Sequence, residues 1–282
     1  MTQFKTSRLP PFKVALVQMK PVFADLNANL QFALSKLQHA SEEGAALVVF
    51  PECALSGYVF DTYEEAMQHA DAIPGIATAA LASACKRLNL FVVIGMLEKD
   101  GIDLYNSAVV IGPEGIIAKY RKCHLPFVGL DRFTKTGSEL CIVDLPFAKA
   151  GVLICYDLRF PEAVRSLALQ GADVLILPTN WPSGSENNPD FLTRARAVEN
   201  RMYVLACDRV GKEQGAEFIG RSQAVAPNGT VLGEADGTSE AVLYVEIDPE
   251  LARKKRTVNI PGVYEFDAIA DRRPELYGEL TK

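Results

Sequence analysis

The chain has 282 residues, 49% of them hydrophobic and 23% charged, and a formal charge of −6 from 29 basic and 35 acidic side chains. This balance belongs to an ordinary globular protein and excludes disordered and collagen-like classes. No segment approaches the roughly 20 uninterrupted apolar residues that a bilayer span needs, so no membrane association is expected. The start, Met1 to Lys13, is polar and carries prolines without an apolar signal core, and the expected address is the cytoplasm. Six scattered cysteines without a CxxC pair, and three histidines without a cluster, argue against a metal centre and against a disulfide framework. The acidic balance argues against a nucleic-acid partner, and the run Arg253-Lys254-Lys255-Arg256 reads as a solvated helix face.

In chain order, Val14 to Val17 reads as a buried strand, and Leu26, Leu30, Ala33, Leu34 and Leu37 recur at helical spacing until Gly44. Leu47-Val48-Val49-Phe50 is a short apolar run of the kind covered on both faces, and Pro51 ends it, leaving Glu52 just past a strand's carboxyl end. An Ala-rich helix is predicted around 77–88, then strands at 90–96, 108–111 and 116–120. Gly112-Pro113-Glu114-Gly115 joins the last two as a hairpin. The second half repeats the alternation: a strand from Ala150 to Cys155, a helix with Pro161 in its first turn that stops near Gly171, and a strand at 174–177. A helix over 191–200 and strands at 202–207, 222–226 and 241–245 follow. Gly44-Ala45-x-Leu47-Val48-Val49-Phe50-Pro51 is echoed by Gly171-Ala172-x-Val174-Leu175-Ile176-Leu177-Pro178. A true repeat puts Glu52 and Thr179-Asn180 at equivalent strand ends facing one site. No Pro/Gly/Ser-rich linker divides the chain, which reads as a single α/β domain over 1–282 with a tail from about 256 that packs on a neighbour or partner.

In open α/β sheets ligands gather at the carboxyl ends of strands. Three such places carry chemistry-bearing side chains: Phe50-Pro51-Glu52, Tyr120-Arg121-Lys122-Cys123-His124, and Cys155-Tyr156-Asp157-Leu158-Arg159. Cys155 ends a buried strand ahead of a helix whose N-terminal dipole favours a thiolate, although a cysteine in an apolar strand is more often plain core. A thiol nucleophile needs a base. His39 and His69 fall in helical stretches facing solvent, which leaves His124, or else the carboxylate of Glu52 with its pKa raised by burial and Lys122 as the accompanying cation.

Together these motifs resemble the carbon-nitrogen hydrolase (nitrilase-like amidase) superfamily, from Val14 to about Tyr244. Phe-Pro-Glu matches at Glu52, Tyr-Arg-Lys-x-His-Leu at Lys122, and Cys-Tyr-Asp-x-Arg-Phe-Pro-Glu at Cys155, in the family's order and 70 and 33 residues apart. The resemblance implies a four-layer α-β-β-α sandwich, no cofactor, and a Glu-Lys-Cys triad that hydrolyses a small amide to acid and ammonia through a thioester. Lys122 and the backbone N–H of Tyr156 would hold the oxyanion, and His124 would orient the loop carrying Lys122. It also implies a homodimer formed near the helix after Cys155 and the 191–200 helix.

The family commonly places a second carboxylate, a Glu, after the lysine motif. Here the nearest acid is Asp131, which reads either as that group or as an exposed turn acid paired with Arg132. Nitrile-hydrolysing members tend to carry Trp-Glu after the nucleophile, whereas Tyr156-Asp157 is similar to the amide-hydrolysing branches. Thr179-Asn180-Trp181-Pro182 resembles the family's substrate wall, with Asn180 as a polar contact and Trp181 as a flat apolar face. Tyr58 is a further candidate for the pocket, and Asp157 with Arg159 is expected to fix the turn behind Cys155 as a charged pair. Rival readings are a hydrolase of N-carbamoyl amines or amino acids, a nitrilase, an acyltransferase, and a non-enzymatic binding protein on the same scaffold.

Overall fold

The computed structural model describes residues 9–281; through residue 8, the polar start lies outside the described residues. The first half runs β1 (Phe12–Gln18), α1 (Leu26–Glu42), β2 (Leu47–Val49), α2 (Tyr63–Gln68), α3 (Ile76–Leu88), β3 (Phe91–Asp100), β4 (Asp103–Gly112) and β5 (Gly115–Arg121). The second runs β6 (Cys141–Asp144), β7 (Lys149–Val152), α4 (Pro161–Leu169), β8 (Val174–Pro178), α5 (Thr193–Asn200) and β9 (Tyr203–Cys207). Then come β10 (Val210–Glu213), β11 (Ala216–Ile219), β12 (Gln223–Val225), β13 (Val231–Glu234), β14 (Ala241–Ile247) and α6 (Pro249–Arg253). Helix starts follow local chemistry: Asp25 accepts the N–H of Ala28 at 2.9 Å to open α1, and Pro161 with its preset φ opens α4.

Two six-stranded sheets form, in the orders β14-β1-β2-β3-β4-β5 and β13-β12-β9-β8-β7-β6. The two-residue period of a strand divides their side chains between cores. Val14, Leu16, Leu47, Val49 and Val93 face the second sheet and pack in one cluster with Val152 and Ile176. Their neighbours Ala15, Val17, Val48, Val92 and Ile94 pack with Leu30, Leu37, Leu81 and Ala84 of α1 and α3. On the far side Leu167 and Val164 of α4 and Ala197 of α5 cover the second sheet. The result is the α-β-β-α sandwich, and the apolar runs at β2 and β8 are buried throughout because both faces are covered.

The internal echo extends into the backbone. Val14, Leu47 and Phe91 share a rung of β1, β2 and β3, and Ala150, Val174 and Tyr203 share the matching rung of β7, β8 and β9. Loop bonds repeat at equivalent places: Ala45 N–H donates to Ala40 O as Ala172 N–H does to Leu167 O, and Phe91 N–H donates to Ala46 O as Tyr203 N–H does to Asp173 O. The chain thus contains two βαβαβ units of the same form, with the motif-bearing strand ends of both at the carboxyl edge of their sheets. Where β1 and β9 end, Val210 N–H donates to Met19 O at 3.0 Å and ties the two sheets together.

Several expectations need correction. The strand before Cys155 stops at Val152, and Cys155 opens a 3-10 turn, Cys155–Arg159, so α4 begins six residues beyond the thiol. The basic run is not a helix face, because α6 ends at Arg253. That guanidinium pairs with Asp173 at 3.0 Å, Lys255 donates to the carbonyls of Asn200 and Arg201, and Arg256 enters a strand and pairs with Glu265. The weakly periodic tail forms a hairpin, β15 (Arg256–Ile260) with β16 (Tyr264–Asp267), followed by short 3-10 turns. His69 is half-buried and stacked on Phe60 rather than facing solvent. Among the described residues no helix is long and apolar enough to cross a membrane.

Candidate active site

Glu52, Lys122 and Asp131 meet in one buried cluster. The Lys122 ammonium lies 2.7 Å from Glu52 Oε1 and 2.6 Å from Asp131 Oδ2, with both ion pairs fully shielded from solvent. Each partner is held by backbone. Beyond β2, Phe50 N–H donates to Val93 O and Gly95 N–H to Pro51 O, so the chain carrying Glu52 lies flat across β3. At Gly95 a Cβ would stand 2.5 Å from Glu52 Cα, so glycine is required for that crossing. Beyond β5, Lys122 N–H donates to Asn106 O and Gly137 N–H to Lys122 O, both at 2.8 Å.

Asp131 belongs to the 3-10 turn Gly129–Arg132 and is 4% exposed, so it is no surface carboxylate. Arg132 turns instead to the carbonyls of Gly129 and Phe60. Gly129, at φ +52°, lets the turn close on Tyr58, where a Cβ would stand 2.2 Å from Tyr58 Cε1. Tyr58 in turn donates its hydroxyl to Asp131 Oδ2 at 2.8 Å. This close packing brings the shorter acid within reach of Lys122.

Burial pushes the Glu52 carboxyl up, aided by the charge of Asp131 and opposed by Lys122. Burial works against the Lys122 ammonium, but Asp131 and Glu52 outweigh it and hold its pKa well above the usual lysine value. Two acids around one base leave a surplus negative charge in a dry site, and a raised Glu52 pKa relieves it. A carboxylate whose pKa is raised in this way is a stronger proton acceptor than an ordinary one. Its Oε1 carries the bonds from Lys122 and Asn106, while Oε2 is buried without a hydrogen-bond partner.

Cys155 takes φ +46°, a left-handed backbone that a non-glycine residue holds only under constraint. Asp157 supplies that constraint. Its Oδ2 accepts from Ile154 N–H at 3.0 Å and Tyr120 OH at 2.8 Å, and its Oδ1 lies 3.0 Å from His124 N and 2.7 Å from His124 Nδ1. His124 also stacks on Phe160 at 3.7 Å, so it joins the Lys122 loop to the Cys155 turn. The expected Asp157–Arg159 pair does not form. Residues two apart in a three-per-turn helix point about 120° away from each other, and Arg159 donates to Asn187 instead. Burial and the charge of Glu52 push the Cys155 thiol well above its ordinary pKa, against the lowering effect of Lys122, Thr179 and the Asn180 backbone. The dipole-stabilised thiolate expected from a following helix is therefore not the resting form.

Above this floor lies a cavity of about 270 Å³, lined by Tyr58, Cys155, Tyr156, Arg159, Asn180 and Trp181 among others. Of the site residues expected from the sequence, Tyr58, Cys155, Tyr156, Asn180 and Trp181 line the cavity, and Glu52, Lys122 and Asp131 form the buried cluster. Asn180 is 3% exposed and neither atom of its amide has a hydrogen-bond partner; the indole N–H of Trp181 is likewise unpartnered. Sequence reading missed three contributors. Asn106 bonds Glu52 and Asp131, and a buried Asn amid the apolar run of β4 is the signal that marks it. Arg159 was placed in a structural pair rather than at the cavity. Glu213 accepts the N–H groups of Tyr58 and Val59 and pairs with the buried Arg209, a long-range contact with no local signature. Gly95→Ala is expected to lower kcat/KM by about 10²-fold, because a misplacement near 1 Å is enough for that loss. Its kinetics and thermal melting would be measured together, and a folded variant with wild-type kinetics would contradict the crossing argument.

The sequence model of the carbon-nitrogen hydrolase family matches residues 13–257. A nitrilase of Pyrococcus abyssi is 42% identical over 268 residues, covering 94% of this chain and 98% of its own. The omega-amidase of Homo sapiens is 33% identical over 289 residues, covering 96% and 98%. Among solved structures, a variant of the amidase from Nesterenkonia sp. AN1, with the acetamide moiety of fluoroacetamide covalently added at its active-site cysteine, aligns at TM-score 0.78. It is 25% identical and covers 94% of this chain and 95% of its own. With the two-sheet sandwich and the family match over most of its length, this chain belongs to the carbon-nitrogen hydrolases of the nitrilase superfamily.

Proposed function

We propose that this enzyme hydrolyses the C–N bond of a small amide to a carboxylic acid and ammonia, with Glu52, Lys122 and Cys155 as its catalytic residues. The observation that carries the reading is the unpartnered Oε2 of a buried, base-poised Glu52 beneath a cavity onto which a protonated Cys155 opens. Glu52 Oε2 takes the thiol proton as the sulphur attacks the amide carbon, and the carbonyl π pair moves to oxygen. Lys122 and the Tyr156 N–H stabilise that oxyanion. Collapse reforms the carbonyl and breaks the C–N bond, and the proton held on Glu52 goes to the departing ammonia. Water then loses a proton to Glu52 and attacks the thioester. The sulphur leaves and recovers that proton, restoring the resting thiol. Two moderate barriers replace one high one. The covalent adduct at the active-site cysteine of the Nesterenkonia amidase supports a thiol nucleophile here.

The cavity favours a particular kind of amide. Its wall is largely apolar, with the unpartnered Asn180 amide near the thiol and the exposed Arg159 at the rim. An amide with a carboxylate at its far end places the reacting group on the floor and the anion against a guanidinium. The omega-amidase name of several relatives accords with this. Carbamoyl amino acids also carry a distal carboxylate and form the alternative class.

We further propose a homodimer. Phe191 and Val198 around α5 are 69% and 47% exposed, and Tyr264 and Phe266 of the terminal hairpin are 54% and 41% exposed. Exposed apolar side chains at both places suit burial against a second copy. Sedimentation at micromolar concentration is expected to give twice the chain mass, and a monomer across that range contradicts the dimer.

Ammonia release would be measured across omega-amides of dicarboxylic acids, their neutral analogues, carbamoyl amino acids and nitriles. Cys155→Ala is expected to reduce release at least about 10³-fold; release that persists sinks the thiol mechanism. Arg159→Leu is expected to raise KM about tenfold for the anionic amides alone. Equal effects on charged and neutral substrates would remove the guanidinium from substrate selection.

A further inference from the structure

Asn106 lies at the centre of the buried cluster without a charge of its own. It is fully buried on β4, and its side-chain amide faces two acids: Nδ2 is 2.6 Å from Glu52 Oε1 and 2.8 Å from Asp131 Oδ1. The two amide hydrogens are therefore both used, one on each carboxylate. On the other side Oδ1 accepts from the Cys53 thiol at 3.5 Å. That contact orients the amide, since a rotated group would turn its oxygen toward two carboxylates and its hydrogens toward a thiol that is itself a donor. The backbone carbonyl of the same residue accepts the N–H of Lys122 at 2.8 Å. One neutral residue thus touches both acids through its side chain and fixes the lysine through its main chain.

The consequence for Glu52 is an inequality between its two oxygens. Oε1 receives Nδ2 of Asn106 and the Lys122 ammonium at 2.7 Å, which occupies both of its in-plane lone pairs. Oε2 receives nothing from the protein. We propose that Asn106 is a positioning residue of the reaction: by saturating Oε1 it confines proton exchange with Cys155 and with the leaving ammonia to Oε2. Without that donor the carboxyl group is free to rotate or to take its proton on the far oxygen, where the proton faces Lys122 and is lost to the reaction. Aspartate in place of Asn106 is the worst neighbour, because it sets a third acid against Glu52 and Asp131.

The inference rests on the reading of Glu52 as the base, and the test separates the two. The titratable groups facing Glu52 are Lys122, Asp131, Cys155, Cys53, Tyr58 and Asp208; an Asn106 substitution keeps all of them in the chain, and of these Asp131 and Cys53 lose a bond to its side chain. Kinetics of Asn106→Leu, Asn106→Asp, Cys53→Ala and Glu52→Gln would be compared across pH on an amide that the unaltered enzyme cleaves. Asn106→Leu is expected to lower kcat about 10²-fold while KM stays within about threefold, as befits a group that orients a catalytic residue and never meets substrate. The acid limb of kcat/KM is expected to move to higher pH. The lost donor had favoured ionised Glu52, so its removal makes the base harder to deprotonate. Asn106→Asp moves the limb the same way and further. Cys53→Ala, which keeps the amide but frees its rotation, gives a smaller shift of the same sign and covers the case in which the Asn106 variants do not fold. An unmoved acid limb in the folded variants, or a rise in KM at constant kcat, overturns the positioning role. Full activity in Glu52→Gln overturns the base assignment itself, whereas an inactive Glu52→Gln beside a wild-type profile in Cys53→Ala and Asn106→Leu removes Asn106 alone.

Discussion

The Lys122 ammonium, buried between two carboxylates, is the interaction on which the rest of this structure turns. Removing one ion from water carries an effective penalty of several kcal/mol, and stripping a partner from such a pair costs about 3–5 kcal/mol. The site is tolerable because each charge is met by closely spaced partners at 2.6–2.7 Å and because Asn106 donates further to Glu52 Oε1 and Asp131 Oδ1 and Tyr58 to Asp131 Oδ2. Those requirements reach far back into the chain. They fix a glycine at 95 where the Glu52 segment crosses β3 and a glycine at 129 where the Asp131 turn meets Tyr58. They also hold the Tyr58 segment in place through Glu213, which is itself neutralised by a fully buried Arg209. A stability-driven core would contain none of these groups; their presence at the carboxyl edge of two sheets is the mark of a site.

The repeated βαβαβ unit explains how the site is shared. Equivalent strands β2 and β8 are both closed by proline, at Pro51 two residues past β2 and at Pro178 as the last residue of β8, and both release the chain toward the same place. The first unit contributes the acid, Glu52, and with the hairpin β4–β5 the ammonium and its supporting amide. The second contributes the thiol and the wall formed by Asn180 and Trp181. Glu52 and Cys155 therefore come from different sheets, and their separation is set by the packing of one sheet on the other. Cores packed at crystal-like density deform little, which suits a reaction that needs its groups held to a fraction of an ångström.

Much of this was legible in the sequence, for identifiable reasons. Buried strands announce themselves as apolar runs, and Gly44, Pro161 and Gly171 punctuate helices where expected. The three motif loops could be located because strand ends are where catalytic side chains collect. What escaped is what depends on direction rather than position. Asp157 and Arg159 are two residues apart and of opposite charge, yet the 3-10 turn points them to different sides, one to His124 and Tyr120 and the other to the cavity rim. Asp131 was open to two readings because exposure is set by a turn whose closure depends on Gly129 meeting Tyr58, 71 residues earlier in the chain. The four-residue strands β6, β10, β11 and β13 are too short to show a period, and the hairpin β15–β16 exposes most of its side chains.

The resting state of the thiol decides what kind of catalyst such a site makes. A cysteine ionised in advance by an imidazolium is reactive before substrate arrives, and it is open to oxidants and to chance electrophiles. Here burial and the neighbouring acid push the Cys155 thiol well above its ordinary pKa and so favour its protonated form, and the imidazole of His124 is committed to Asp157. In the proposed mechanism negative charge moves from Glu52 to the substrate oxygen only as the sulphur attacks, and it moves toward Lys122, which is already in place. The ammonium is thus better matched to the transition state than to the neutral amide, and that difference is the part of binding that accelerates a reaction. In that mechanism Asp131, 2.6 Å from the ammonium, helps hold the Lys122 pKa up, so that the proton taken from the thiol stays on Glu52 while Lys122 keeps its own.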